Sequence, residues 1–150
     1  MTIYNFYLYN NFGKCIYYKD FQRCRPSSMD PEEEFKLMFG MIFSLNSFSN
    51  KLCTKDGPQQ LKSFTTSTYK MFYIETLTGY KLILNTSTDA ADIHKLLHNI
   101  YTIFAEVVVS NMLIHPQEQI ECHDFDQELA KLVMAHPCYP KTSVLPVKTK

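Results

Sequence analysis

The chain has 150 residues with 15 basic and 15 acidic side chains, so its formal net charge at neutral pH is zero. The length suits one domain with a buried core, and a composition of 45% hydrophobic and 14% aromatic residues excludes a disordered or fibrous chain. The lack of a basic excess argues against a nucleic-acid partner, because phosphate binding needs a clustered positive field. The 4 glycines are all isolated, so neither a P-loop nor a dinucleotide fingerprint can form.

The first residues and the cysteines indicate the compartment. Residues 1–10 lack a basic segment and are interrupted by asparagine, so we predict no signal peptide. The apolar run at 100–114 is shorter than the roughly 20 residues that span a bilayer. The cysteines are Cys15, Cys24, Cys53, Cys122 and Cys138. Their odd number and the absence of a CxxC pair predict free thiols in a chain that is not secreted.

The first predicted elements are two strands and a helix. Runs of Ile, Tyr, Phe and Leu predict strands at 3–9 and 14–18, joined by a turn rich in Asn and Gly. Asp30 is a candidate N-cap, and Pro31 suits the first helical position. A helix is therefore predicted from there to about Asn50.

This helix carries two apolar stripes, whereas a surface helix of a lone domain needs only one. We assign to the sheet the longer stripe, which consists of Phe35, Met38, Ile42 and Leu45. We assign to a protein partner the second stripe and the small residues within it, namely Leu37, Gly40, Met41, Ser44 and Phe48.

Three further strands are predicted at 61–66, 69–75 and 80–86. In the last of them, Tyr80, Leu82 and Leu84 alternate with Lys81, Ile83 and Asn85, which predicts one face on the core. If this second group of strands joins the free edge of strand 3–9, the result is a five-stranded antiparallel sheet.

Two helices end the regular structure. Thr88 or Asp89 is the candidate cap of a helix that ends before Pro116, and a third helix is predicted at 124–136. Three prolines then oppose regular structure. We expect one domain over residues 1–136 and a flexible tail over 137–150.

Candidate chemical groups are sparse. His94 and His98 have a spacing that can bind zinc on a helix, but no third ligand is apparent. Cys122–His123 and His136–Cys138 lie at predicted helix ends, where histidine is an ordinary terminal residue. We therefore expect no metal, no cofactor and no catalytic residue, and a binding or structural role is favoured over an enzyme.

Three stretches, 32–48, 66–81 and 85–86, closely resemble the sybindin-like small subunit of the TRAPP vesicle-tethering complex. The hairpin residues Asn5, Tyr7, Leu8 and Gly13 resemble it as well. The resemblance implies an α+β, longin-like (SNARE-like) fold, in which a five-stranded antiparallel sheet is packed between one helix and two helices.

The resemblance also implies a non-catalytic role in a multisubunit assembly. That assembly would act as a guanine-nucleotide exchange factor for a Rab-family GTPase in transport from the endoplasmic reticulum to the Golgi. The implied partners are other TRAPP subunits and, through the assembled complex, the GTPase. The implied location is cytoplasmic, peripheral at cis-Golgi and endoplasmic-reticulum membranes. The alternative is a longin-fold adaptor subunit of a clathrin-type coat that binds cargo sorting signals.

Overall fold

The computed structural model describes residues 2–21, 28–57, 60–113 and 118–137. In chain order, the elements are β1 (Ile3–Tyr9), β2 (Cys15–Asp20), α1 (Pro31–Lys51), β3 (Ser63–Thr65), β4 (Lys70–Glu75), β5 (Lys81–Thr86), α2 (Ile93–Phe104) and α3 (His123–Ala135). A π-helical segment, Ala105–Val109, continues α2. The predicted strands and helices are therefore present, with shifts at their ends.

The five strands form one antiparallel sheet in the order β2-β1-β5-β4-β3. Strand β1 lies inside the sheet, between β2 and β5, so the second group of strands does join the free edge of β1. Helix α1 packs on one face of the sheet, and α2 and α3 pack on the other. This arrangement confirms the α+β, longin-like fold class, with the sheet between one helix and two helices.

Each face of the sheet has its own apolar core. The core under α2 and α3 includes Phe6, Leu8, Leu82, Leu84, Leu97, Ile100, Phe104, Phe125 and Leu129. The core under α1 consists of Tyr7, Tyr9, Ile42, Met71, Tyr73 and Ile83. The alternation in β5 predicted one buried face, but Ile83 on the second face is also fully buried because α1 covers it.

Hydrogen bonds hold α1 to the sheet along its length. The Tyr7 hydroxyl donates to Glu34 Oε1 at 2.8 Å, and the Tyr9 hydroxyl donates to the Phe35 carbonyl oxygen at 2.7 Å. Farther along the helix, Asn46 Oδ1 accepts the N–H of Leu61 at 3.0 Å. These bonds satisfy polar groups that lie close to the core. They also determine which side of α1 faces away from the sheet.

The predicted start of α1 is confirmed, and the predicted start of α2 is wrong. Helix α2 begins at Ile93, several residues after Thr88 and Asp89. The Ser87 hydroxyl donates to Asp89 Oδ1 at 2.6 Å, so these side chains stabilise a turn before the helix. Asp30 does occupy the N-cap of α1, but its side chain makes no capping bond.

Three of the five cysteines lie in described residues, and Cys15, Cys53 and Cys122 are free thiols, as predicted. Cys24 and Cys138 lie outside the described residues. So does nearly all of the predicted tail, residues 138–150. The predicted domain boundary at residue 136 stays a prediction.

Candidate partner-binding surface

The side of α1 that faces the sheet is formed by the residues assigned to it. Ile42 is 1% exposed, and Phe35, Met38 and Leu45 are half-buried against the α1-side core. The phase of the longer apolar stripe is therefore confirmed. It follows that the opposite side of α1 points away from the sheet.

That opposite side contains four of the five predicted partner residues. Leu37 is 62% exposed and Phe48 is 58% exposed, with the exposed Gly40 and Ser44 between them. We call Leu37, Gly40, Ser44 and Phe48 the α1 outer face. Whether a partner covers this face stays a prediction.

Met41 does not lie on the α1 outer face, and whether a partner contacts it stays a prediction. Met41 is half-buried and packs against the α1-side core. Consecutive residues on an α-helix are about 100° apart, so Met41 lies at the border between the two sides, next to the buried Ile42. A long, flexible side chain at such a border can bend toward the sheet.

Phe43 is an exposed residue that was not assigned to the partner side. It is 67% exposed, and its ring stacks on Phe39 with 6.4 Å between the centroids. Phe39 in turn lies 5.9 Å from the Tyr9 ring. Phe43, like Met41, is rotated by about 100° around the helix axis from Ile42, but in the opposite direction. The sequence could have indicated this exposure, because Phe43 directly follows the core residue Ile42 and therefore lies at the border between the two sides of the helix.

The α1 outer face consists of uncharged residues, and the charged residues of the helix lie only near its two ends. Residues 37–50 contain no Asp, Glu, Lys or Arg. The charged residues of α1 are Glu32, Glu33, Glu34 and Lys36 near its start and Lys51 in its last turn. An exposed apolar surface without charge is unusual on a protein that acts alone, and it is typical of a protein–protein contact.

The two helical histidines are not brought together with a third metal ligand. Across residues 2–21, 28–57, 60–113 and 118–137, no group of three His, Cys, Asp or Glu side chains could hold an ion. The His94 ring packs edge-on against Phe72 with 5.1 Å between centroids. Burial and the nearby charges of Lys62, His98 and Lys70 lower the pKa of His94.

The Cys122–His123 pair has a structural setting. It lies at the start of α3 beside Asp126, which accepts a hydrogen bond from the Tyr17 hydroxyl and lies 3.7 Å from Lys19 Nζ. These contacts attach α3 to β2. The carboxylate of Asp126 therefore holds α3 against β2.

Cys15 lines a groove of about 680 Å³ between the β1–β2 turn and the start of α1. Phe12, Lys14, Phe35 and Lys36 also line this groove. Burial raises the pKa of Cys15 to about 12, so the thiol is protonated at neutral pH. A protonated thiol is a poor nucleophile.

A search for membrane-crossing helices among the described residues finds none that is both long and apolar enough.

Comparisons with known proteins agree with the resemblance in the sequence. The model of the Sybindin-like family matches residues 3–136. Trafficking protein particle complex subunit 1 from Homo sapiens is 36% identical over 140 residues, which cover 93% of this chain and 97% of the human protein. The Dictyostelium discoideum protein of that name is 34% identical, covering 91% of this chain and 98% of its own length.

A more distant relative is transport protein particle subunit bet5 from Schizosaccharomyces pombe. It is 29% identical over 157 residues, which cover 93% of this chain and 100% of the yeast protein. The family match extends from β1 to the end of α3, so it includes both faces of the sheet. The chain therefore belongs to the Sybindin-like family.

Proposed function

We propose that this chain is a non-catalytic subunit of a TRAPP-type trafficking particle. One observation carries the proposal: the likeness to proteins named trafficking protein particle complex subunit 1 covers 93% of this chain and 97% of the human relative. A likeness of that extent leaves little of either chain unmatched. The uncharged α1 outer face supports the same role, since a subunit needs surface for its neighbours.

In this proposal, the assembled particle is a guanine-nucleotide exchange factor for a Rab-family GTPase in transport from the endoplasmic reticulum to the Golgi. Exchange requires the GTPase to be held in a conformation that releases nucleotide, which complementary surfaces can do without a nucleophile. This chain contributes shape and position, with its α1 outer face against a neighbouring subunit. It meets the GTPase through the assembled complex.

The proposed location is cytoplasmic, peripheral at cis-Golgi and endoplasmic-reticulum membranes. Membrane association would come from the particle as a whole. Fractionation of cells that express the tagged chain tests this placement. Removal of a partner subunit should release the chain from the membrane fraction.

Affinity purification of the tagged, full-length chain from its own cells tests the subunit role. We expect relatives of other TRAPP subunits to co-purify in near-stoichiometric amounts, as identified by mass spectrometry. Recovery of clathrin-coat subunits in their place would overturn the proposal and favour the adaptor alternative.

Measurement of nucleotide release tests whether the exchange activity belongs to the assembled particle or to this chain alone. The purified particle should accelerate release of a fluorescent guanine nucleotide from a Rab GTPase, and the isolated chain should not. Acceleration by the isolated chain alone would contradict a purely structural role.

A further inference from the structure

Three loops lie at the same end of the sheet. The turn after β1 lies against the turn after β4, since a Cβ added at Gly79 would be 2.8 Å from Asn11 Cβ. Helix α2 also ends here, because the Phe104 ring lies 5.1 Å from the ring of Tyr80, the residue that follows the second turn. The π-helical segment then leads from Phe104 to residues 110–113. The loop after α2 therefore belongs to this end of the sheet.

We call residues 10–14, 76–79 and 110–113 the end loops. They carry four large apolar side chains that are each more than four-fifths exposed, namely Phe12, Leu77, Met112 and Leu113. Single exposed apolar residues are common on protein surfaces, whereas several of them at one end of a molecule indicate a contact site.

The exposed apolar side chains project from separate loop tips. Phe12 is a central residue of the turn in which the Gly13 N–H donates to the Asn10 carbonyl oxygen at 3.1 Å. Leu77 is likewise central in the turn that the Gly79 N–H closes. A protein partner is typically bound by a closely packed apolar patch with a polar rim. Separate apolar tips suit a fluid occupant, the interfacial region of a bilayer, which accepts each side chain independently.

The charges near the end loops also favour a lipid surface. The end loops contain no Asp or Glu, and the exposed Lys14 is their basic residue. Glu75, directly before the second loop, lies 3.6 Å from Lys81 Nζ, so its charge is compensated. Glu106 lies in the helical segment before the third loop. Membrane surfaces that contain anionic lipids are negative, and tips without acidic residues can approach them without direct repulsion.

We propose that the end loops rest on a phospholipid bilayer and insert their exposed apolar side chains into its interfacial region. Insertion removes apolar surface from water, and Lys14 then faces the lipid headgroups. A contact of this size is weak and reversible alone, so it acts together with other contacts of the particle. This inference rests on the proposed function, in which the particle is peripheral at a membrane, and it gives this chain a direct part in that association.

Removal of two of the inserted side chains tests the contact. Leu77→Ser/Met112→Ser removes apolar groups from two end loops without adding charge. The matched control is Leu52→Ser/Met134→Ser, which removes an exposed leucine and an exposed methionine outside the end loops. Purified particles that contain either double variant are floated with phosphatidylcholine vesicles that include about 30 mol% phosphatidylserine.

The two double variants should behave differently. We expect the particle with Leu77→Ser/Met112→Ser to bind these vesicles about tenfold less than the wild-type particle, and the control particle to bind like wild type. Equal binding by the two variant particles would overturn the inference. Loss of a neighbouring subunit from the particle with Leu77→Ser/Met112→Ser would show that a protein covers the end loops, and it would overturn the inference as well.

Tryptophan fluorescence gives a second readout, in the isolated full-length chain. The sequence contains no tryptophan. Phe12→Trp therefore places a single tryptophan at a loop tip, and Leu52→Trp places one at an exposed control position. With vesicles of brominated phosphatidylcholine at about 1 mM lipid, quenching of Phe12→Trp should exceed quenching of Leu52→Trp at least about twofold. Equal quenching at the two positions, or none at Phe12→Trp, would overturn insertion of the end loops.

The failure of this inference is distinguishable from the failure of the proposed function. If the wild-type chain co-purifies with TRAPP subunits but the two double variants bind vesicles equally, the chain is a subunit whose end loops do not enter lipid. If wild-type purification recovers no such subunit, the proposed function falls, and the quenching of Phe12→Trp still tests the end loops of the isolated chain.

Discussion

Cys15 lies on β2 beneath α1, and its thiol donates a hydrogen bond to the Tyr17 carbonyl oxygen at 3.3 Å. Burial raises its pKa to about 12, because the charged thiolate would lose its hydration. The groove that Cys15 lines therefore contains a thiol that stays protonated. Burial therefore makes the Cys15 thiol unreactive, and its role is to fill space in the protein.

Alkylation measures this effect. We expect Cys15 in the native chain to react with iodoacetamide at pH about 7.5 at least a hundredfold more slowly than in the urea-unfolded chain, because its thiolate fraction is suppressed. Mass spectrometry of the labelled peptides gives both rates. Similar rates in the two states would contradict the assigned burial.

Gly13 and Gly40 differ in the space that is available for a side chain. Gly13 has φ +83°, and an added Cβ would lie 2.7 Å from Phe39 Cζ, whereas nothing lies within 4 Å of a Cβ at Gly40. Gly13→Ala should lower the free energy of unfolding by about 1–3 kcal/mol. Gly40→Ala should raise it by about 1 kcal/mol, because alanine restricts the unfolded helix segment. Urea denaturation of both variants checks the signs, and the reverse order would contradict the structure.

The period of 3.6 residues was sufficient to orient α1. The stripe Phe35, Met38, Ile42 and Leu45 was assigned correctly because it covers the full length of the helix on one side. Met41 packs partly against the α1-side core, which the assignment to the partner side did not anticipate, since helical phase alone cannot determine how a border side chain bends. The contact that decides it comes from the sheet, which is distant in sequence.

Aspartate substitutions separate core from border. Ile42→Asp should unfold the domain, because the free-energy cost of burying an unpaired charge exceeds the free energy of unfolding of most domains. Met41→Asp should lower the free energy of unfolding by a smaller amount, about 1–3 kcal/mol, since its site is half-buried. Circular dichroism on heating measures both. Equal loss in the two variants would mean that Met41 belongs to the core.

Strand existence was predictable from composition and alternation, whereas the pairing of β1 with β5 entered the sequence analysis only as a condition for the five-stranded sheet. The start of α2 was misplaced because Ser, Thr and Asp stabilise turns as readily as helix ends. The link between Tyr17 and Asp126 joins residues 109 positions apart, so no local pattern indicates it. The position of β3 at the edge of the sheet is likewise a property of the assembled sheet.

The molecule as a whole has two cores, and both contain tyrosines with buried rings and bonded hydroxyls. The hydroxyls of Tyr9, Tyr17 and Tyr73 donate to the Phe35 carbonyl oxygen, Asp126 and Glu75, respectively. Burial is the largest cause that raises the pKa of each tyrosine, and the nearby negative charge adds to it. The native fold therefore holds these groups in their neutral forms.

Stability should consequently fall in alkaline solution. The folded-state pKa values of Cys15 and the three tyrosines lie above their unfolded values, so the unfolded chain releases these protons first. Their contribution is complete below pH about 8, where these groups are still protonated in the unfolded chain, and is lost as the pH rises further. The urea midpoint should decrease from pH about 8 to pH about 11. A constant or rising midpoint over that range would contradict the burial of these groups.

The central claim is that this chain works through protein contacts made by the α1 outer face, and a charge placed on that face tests it most directly. Leu37→Asp should leave the far-ultraviolet circular dichroism and the melting temperature of the isolated chain near wild type, because Leu37 is 62% exposed. It should lower recovery of neighbouring subunits about tenfold or more, since an unpaired charge would be buried in the contact.

The matched control is Leu77→Asp, the same substitution at a fully exposed leucine in the β4–β5 turn. We predict that Leu77→Asp recovers the neighbouring subunits at the wild-type level and that Leu37→Asp does not. Wild-type recovery by a folded Leu37→Asp chain would contradict the account.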